Sequence, residues 1–172
     1  MRESRRKTSL SELVLFGILG ALCFMGKLAM AGLANVEPVS LFVMLFAVTF
    51  GWKSLYPIYI YVLLELVVYP IQLWSINYLY IWLILAAVSI ALRSCRAPLV
   101  WALVSGAFGL LFGALCTPVY LFVGGWAHAL SWWISGIPFD LLHGAGNFVI
   151  ALVLFGPLRK LMDRLYGQLI RR

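Results

Sequence analysis

Charge is the scarcest property of this sequence. Only 11% of its 172 residues are Asp, Glu, Lys or Arg, where a soluble domain carries about 25%. Acids are scarcer still, six against thirteen Lys and Arg. At 64% hydrophobic residues and a mean hydropathy of +1.01, no soluble core of this length hides so much apolar surface. The composition excludes a soluble domain and predicts an all-α integral membrane protein, one membrane domain over residues 1–172. A membrane β-barrel is excluded because the apolar runs are continuous rather than alternating.

Other absences narrow the chemistry. Cys23, Cys95 and Cys116 are scattered, with neither metal-ligand spacing nor a disulfide framework, and read as small packing residues. No G-x-x-x-x-G-K-[ST] occurs, so no ATP is held by a P-loop. H-E-x-x-H and G-x-S-x-G are missing too. His128 and His143 have no Cys partner at zinc spacing. No metal ligand, catalytic residue or enzyme activity is predicted. No internal repeat is evident, which leaves an inverted-repeat transporter little support. The basic start MRESRRK precedes an apolar run with no small-residue cleavage site, so that run reads as a first helix rather than a signal peptide.

What the sequence has is long apolar runs separated by Pro, Gly and polar breaks. They predict a six-transmembrane-helix bundle with helices at approximately 10–33, 38–52, 54–73, 76–92, 98–124 and 136–157. Arg2, Arg5, Arg6 and Lys7, then Lys53, then Arg93 and Arg96, then Arg159, Lys160, Arg164, Arg171 and Arg172 all fall on one side of such a bundle. The positive-inside rule makes that side, and both termini, cytoplasmic. Lys27 alone among the basic residues departs from it. The net charge of +7 is then topology plus affinity for anionic headgroups. Nucleic acid is not implied, because the basic residues are dispersed over one membrane face. Glu37, Glu65 and Asp140 map to the outer half, whose loops contain no Lys or Arg.

The segment GIPFDLLHGAGNFVIALVLFGPL, residues 136–158, carries the clearest chemistry. At 100° per residue, Asp140, His143, Gly144 and Asn147 share one face about 100° wide. An ionisable group at bilayer depth costs about 2.5–3.5 kcal/mol, so this face turns inward to partners or a cavity. The alternative is a helix start at Ser135, Gly136 and Pro138, with Asp140 favouring the positive end of the helix dipole and His143 a packing residue. In VYPIQLWSINYLYIW, residues 68–82, Trp74, Tyr78 and Trp82 recur at spacing four beside Asn77. Aromatic faces with an amide suit a flat heterocycle, and an interfacial belt is the alternative. GGWAHALSWWISG, residues 124–136, brings Trp126, His128, Trp132 and Trp133. It reads as too short and broken to span, and as either a lid or another belt. Glu65 faces the cavity or pairs with Lys27, since a buried charge wants a partner. Asp140 is the other candidate partner for Lys27, and Glu37 caps the second helix. The predicted substrate-binding residues are Glu65, Trp74, Asn77, Tyr78, Trp133, Asp140, His143 and Asn147. Two ladders of small residues at spacing four, Ser105, Gly109 and Gly113, and Gly17 with Ala21, permit close helix approach.

Together these stretches resemble the substrate-binding S components of energy-coupling factor (ECF) vitamin transporters. ANVEPVSLFVMLFAVTFGWKSLYP is similar to that family's first outer loop, second helix and turn into helix three. GIPFDLLHGAGNFVIALVLFGPL is similar to its last helix, including the acid and asparagine at the outer end. Gly17 and Ala21 match in position, though not in identity, an Ala-x-x-x-Ala partner-docking surface. The resemblance implies a high-affinity subunit that captures a vitamin or precursor from outside and topples in the bilayer to deliver it. It implies association with a transmembrane coupling subunit and two cytoplasmic ATPases, which use the ATP, so this chain needs no cofactor. It also implies a multi-pass protein of the bacterial plasma membrane. Three outer acids against one Lys, with many aromatics, suit a neutral or cationic ring. A thiamine-like or pyridoxine-like ligand fits, and riboflavin or a corrinoid stays open. Two other readings remain beside it: a small membrane enzyme using His143 and Asp140 as acid and base on a lipid or isoprenoid, and a non-transporting assembly protein.

Overall fold

The computed structural model describes residues 8–32 and 36–170, which are all-helical with no strand among them. The basic residues at positions 2, 5, 6, 7, 171 and 172, and the end of the first expected helix at 33, lie outside the described residues. Helix α1 spans Leu10–Ala29. It opens on a capping box, in which the Ser9 hydroxyl accepts the Glu12 N–H and the Glu12 carboxylate accepts the Ser9 N–H, satisfying two donors that a helix start leaves free. Helix α2 spans Val39–Phe50 and stops at Gly51, whose φ of 58° and ψ of −136° favour a residue without a Cβ. A single 3-10 turn, Gly51–Ser54, leads straight into α3, Leu55–Val68. Then come α4, Leu73–Tyr78, and α5, Ile81–Ala91. Helix α6, Pro98–Leu110, begins on a proline, whose missing N–H costs nothing there. Helix α7 runs Phe112–Ile170 but is broken at Gly125, where φ is 72° and ψ is −174°, so it has two arms.

Among the described residues, four helical stretches are long and apolar enough to cross a membrane: Leu10–Ala29, Val39–Val68, Leu73–Ala91 and Pro98–Leu169. The six expected runs merge into four because 51–54 is a 3-10 turn continuous with both its neighbours and the break at 125 is a single non-helical residue rather than a loop. The boundaries shift accordingly. The expected helix at 76–92 starts earlier and is split, and the one at 98–124 is interrupted at Leu111. The stretch 124–136, read as too short and broken to span, is part of a long helix. It contains the Gly125 turn and then runs on as helix into 136–157 and beyond. Pro138, read as a helix start, lies inside this arm.

Contacts fix the direction of each element. Phe16 of α1 meets Phe50 at the end of α2 (ring centres 5.1 Å apart), and Gly26 sits against Phe42 and Pro38 at the other end, so α1 and α2 are antiparallel. Helix α3 runs parallel to α1. Phe16 stacks on Tyr56 at 5.7 Å, Gly20 lies under Ile60, and Lys27 reaches Glu65. Helices α4 and α5 return past α3 through Tyr61, Tyr78 and Trp82. Trp101 with Phe155, Ser105 with Asn147, Gly113 with Asp140 and Tyr120 with Trp132 are all disposed about Gly125. Helix α6 with the first arm of α7 therefore forms an antiparallel hairpin with the second arm.

This hairpin is where the small-residue ladder acts. Ser105 faces Asn147, Gly109 faces Gly144, and Gly113 faces Asp140. A Cβ on Gly109 would lie 2.8 Å from the Gly144 Cα, so the two backbones touch, as small-residue seams allow in lipid.

The basic residues gather at one end of the bundle. Lys53 pairs with Glu12 at 2.9 Å, and the Tyr166 hydroxyl donates to the same carboxylate at 2.7 Å. Arg159 donates to the backbone carbonyls of Arg93 and Cys95, and Arg96 pairs with Asp163 at 3.0 Å. The opposite end holds Lys27, Glu37, Tyr78, Trp132 and Asp140 around a cavity.

Candidate ligand cavity

The cavity occupies about 490 Å³, within the range of small-molecule sites. Four regions of the chain build it. Lys27 comes from the end of α1 and Glu37 from the segment before α2. Tyr78 ends α4. Phe112 and Gly113 open α7, and its second arm adds Trp132, Ser135, Gly136, Phe139, Asp140 and His143. The helical register of the second arm explains this set, because residues three and four apart share its inner face.

Asp140 holds the seam beside the cavity. Both its oxygens accept the Gly113 backbone N–H, at 3.1 and 3.2 Å. Gly113 lies in the first turn of α7, just past the interruption at Leu111, where N–H groups lack intrahelical partners. A carboxylate there also faces the positive end of a helix. The dipole argument from sequence therefore holds for Asp140, but the helix end belongs to the neighbouring element rather than its own. A Cβ added at position 113 would displace the Asp140 carboxylate from its place on the Gly113 N–H.

His143 sits one turn on, in an edge-to-face contact with Phe112 at 4.9 Å. It is 5% exposed, and its Nε2 has no hydrogen-bond partner. Such a buried polar atom costs free energy until something satisfies it.

Lys27 and Glu65 form the ion pair that the sequence left as an alternative, at 2.9 Å. The Lys27 ammonium also donates to the Tyr78 hydroxyl at 3.2 Å and lies 5.2 Å from the Tyr78 ring centre. Glu65 is wholly buried behind Lys27, with Oε1 unpartnered, and does not line the cavity itself. Glu37 does line it, so it does more than mark the start of α2, and its side chain makes no cap contact. Burial raises its carboxyl above the usual range, opposed by the charge of Lys27 and assisted by that of Glu65.

The expected binding residues thus divide. Tyr78, Asp140 and His143 line the cavity, and Glu65 backs it through Lys27. Trp74 stands behind Tyr78 in an edge-to-face contact at 5.0 Å. Asn77 is buried and accepts the Tyr80 hydroxyl at 3.0 Å. Asn147 is 1% exposed and spent on packing, its amide donating to the Ser40 hydroxyl at 3.0 Å and the Ser105 carbonyl at 3.4 Å. Trp133 lines a separate apolar cavity of about 220 Å³ with Trp126, Ala129 and Leu130. Its neighbour Trp132 is the cavity residue, stacked on Tyr120 at 3.8 Å. Trp132, Phe112 and Phe139 were not picked out as ligand-binding from sequence. The three-residue and four-residue steps that join Trp132, Ser135, Gly136, Phe139, Asp140 and His143 are the signal that finds them, once 126–136 is known to be helical. Gly17 and Ala21 face outward on α1, and nothing lies within 4 Å of a Cβ built on Gly17.

No family model matches this chain, and no curated protein and no solved structure matches it.

Proposed function

We propose that this chain is a multi-pass membrane protein that captures a small ring-bearing nutrient, a vitamin or vitamin precursor, in the cavity between α1, α4 and α7. One observation carries the reading. A half-open cavity of ligand size, walled by aromatic rings, brings together an imidazole and carboxylates from separate elements. In this reading the chain crosses the bilayer six times, by 10–29, 39–50, 55–68, 73–91, 98–124 and 126 onward. The alternating directions of the helix contacts support that count. The end with Lys53, Arg96 and Arg159 faces the cytoplasm by the positive-inside rule, and the cavity opens outward. Release inward is driven by a partner module in the manner of an ECF transporter: a transmembrane coupling subunit and two ATPases. The outward stripe of α1 with Gly17 and Ala21 is the face we assign to the coupling subunit. The bacterial plasma membrane as its location rests on the resemblance alone.

The enzyme reading is weaker on geometry. Both Asp140 oxygens are turned to the Gly113 N–H, and no hydrogen bond joins Asp140 to His143, so the two do not form an acid–base dyad as placed.

Native mass spectrometry of gently purified protein tests the proposal. A retained small molecule, lost on His143→Ala or Trp132→Ala, supports it. Protein that is empty, and stays empty after exposure to a vitamin panel, overturns it.

A further inference from the structure

We infer that the cavity selects an aromatic organic cation, rather than a neutral or anionic ring. This rests on the capture reading above and names its ligand class. Lys27 is the cation on the cavity wall among the described residues, and it is committed to Glu65 at 2.9 Å and to the Tyr78 hydroxyl at 3.2 Å. That one positive charge answers Glu65 behind it and Glu37 across the cavity. Glu37 and Asp140 face the cavity with no cation at ion-pair distance from either among the described residues, so the carboxylates outnumber the ammonium. Asp140 has a backbone N–H for company, and Glu37 has no hydrogen bond or ion pair with the described residues. Two partly desolvated carboxylates facing one cavity repel each other and are stabilised when a positive charge joins them.

The remaining wall agrees with a flat cation. Trp132, Phe112 and Tyr78 supply rings, and the negative face of a ring attracts a cation, most strongly at tryptophan. His143 lines the same wall with its ring, but its unpartnered Nε2 is buried away from the open space, so the nitrogen reaches a ligand only if the ring turns. A flat ring cation meets the carboxylates and the rings together. A dianion of the same size meets two carboxylates and only one ammonium, itself paired with Glu65.

The full chain in phosphatidylcholine nanodiscs, which add no net lipid charge, provides the test. Calorimetry measures binding of two ring cations, thiamine and N1-methylnicotinamide, of neutral pyridoxine and riboflavin, and of dianionic folate. A ring cation is expected to bind about a hundredfold tighter than folate and at least about tenfold tighter than either neutral ring. Glu37→Gln is expected to weaken the cation about tenfold and the neutral rings less than about twofold. Asp140→Asn repeats that comparison at the seam, and Glu37 lies outside the seam, so the test survives a poorly folded Asp140 variant. Tight binding of a neutral ring or folate with no binding of either cation overturns the charge inference and leaves the capture reading standing. No binding by any of the five overturns both.

Discussion

Asp140, in the middle of one helix, accepts the backbone N–H of Gly113 on the facing helix with both carboxylate oxygens, at 3.1 and 3.2 Å. The contact joins the hairpin seam to the cavity wall. Replacing the acid separates its hydrogen bond from its charge. Asp140→Asn retains an acceptor for Gly113, whereas Asp140→Ala leaves a buried donor unpaired. The alanine variant is expected to lose about 1–3 kcal/mol of stability and the asparagine variant less than half of that. Thermal unfolding in detergent, read for both variants, checks the order. Equal losses would mean that the hydrogen bond contributes nothing.

Gly109 tests the backbone contact below. A Cβ there lies 2.8 Å from both the Cα and the N of Gly144, positions that only a shift of the helices relieves. Gly109→Ala is expected to cost about 1–3 kcal/mol, the range for overpacking. Gly17→Ala is the matched control. Nothing lies within 4 Å of its Cβ, and alanine is the better helix former by about 1 kcal/mol, so the isolated chain should be unchanged or more stable. The same thermal measurement separates the two.

The pair Lys27–Glu65 predicts a non-additive cycle. Glu65 is fully buried and pairs with Lys27 at 2.9 Å. Lys27→Met strands a buried carboxylate, and a single substitution of this kind costs about 3–5 kcal/mol in buried pairs. The double variant Lys27→Met with Glu65→Leu removes both charges and is expected to be more stable than Lys27→Met alone. A double variant as unstable as the sum of its singles would show that the ion pair is not the unit.

The proposed capture of a ring cation is expected to depend on pH through Glu37. Burial holds its carboxyl above the ordinary carboxylate range, with Lys27 opposing and Glu65 assisting, while Asp140 and His143 share the same cavity. A cation prefers the ionised form. Affinity for a ring cation should therefore fall as pH is lowered through the Glu37 titration and recover as pH rises. In Glu37→Gln the step assigned to Glu37 should disappear, which calorimetry at a series of pH values reads directly. A step that persists unchanged in that variant assigns the titration to another group.

Sidedness has its own test. With Cys23, Cys95 and Cys116 replaced by alanine, a cysteine at Gly125 should react with an impermeant maleimide from outside intact cells. One at Gly167 should react only after permeabilisation. Labelling of both from the same side would remove the six-crossing arrangement.

Much of this protein was legible as pattern. The apolar excess dictated helices in lipid, because an unpaired backbone group there costs several kcal/mol. The inward face of Asp140, His143, Gly144 and Asn147 followed from a period of 3.6 residues, and the ladder of Ser105, Gly109 and Gly113 was visible as spacing. The meeting of that face with that ladder was not, because spacing describes one helix and says nothing of its neighbour. Tertiary structure decided that Asn147 holds helices together while His143 keeps a nitrogen free. It decided that Lys27 answers Glu65 rather than Asp140. It also made 126–136 a helix that presents Trp132, not Trp133, to the cavity. The physical reason is common to all three. A polar or aromatic side chain in an apolar chain is free to serve packing or binding, and only the atoms brought opposite it determine which.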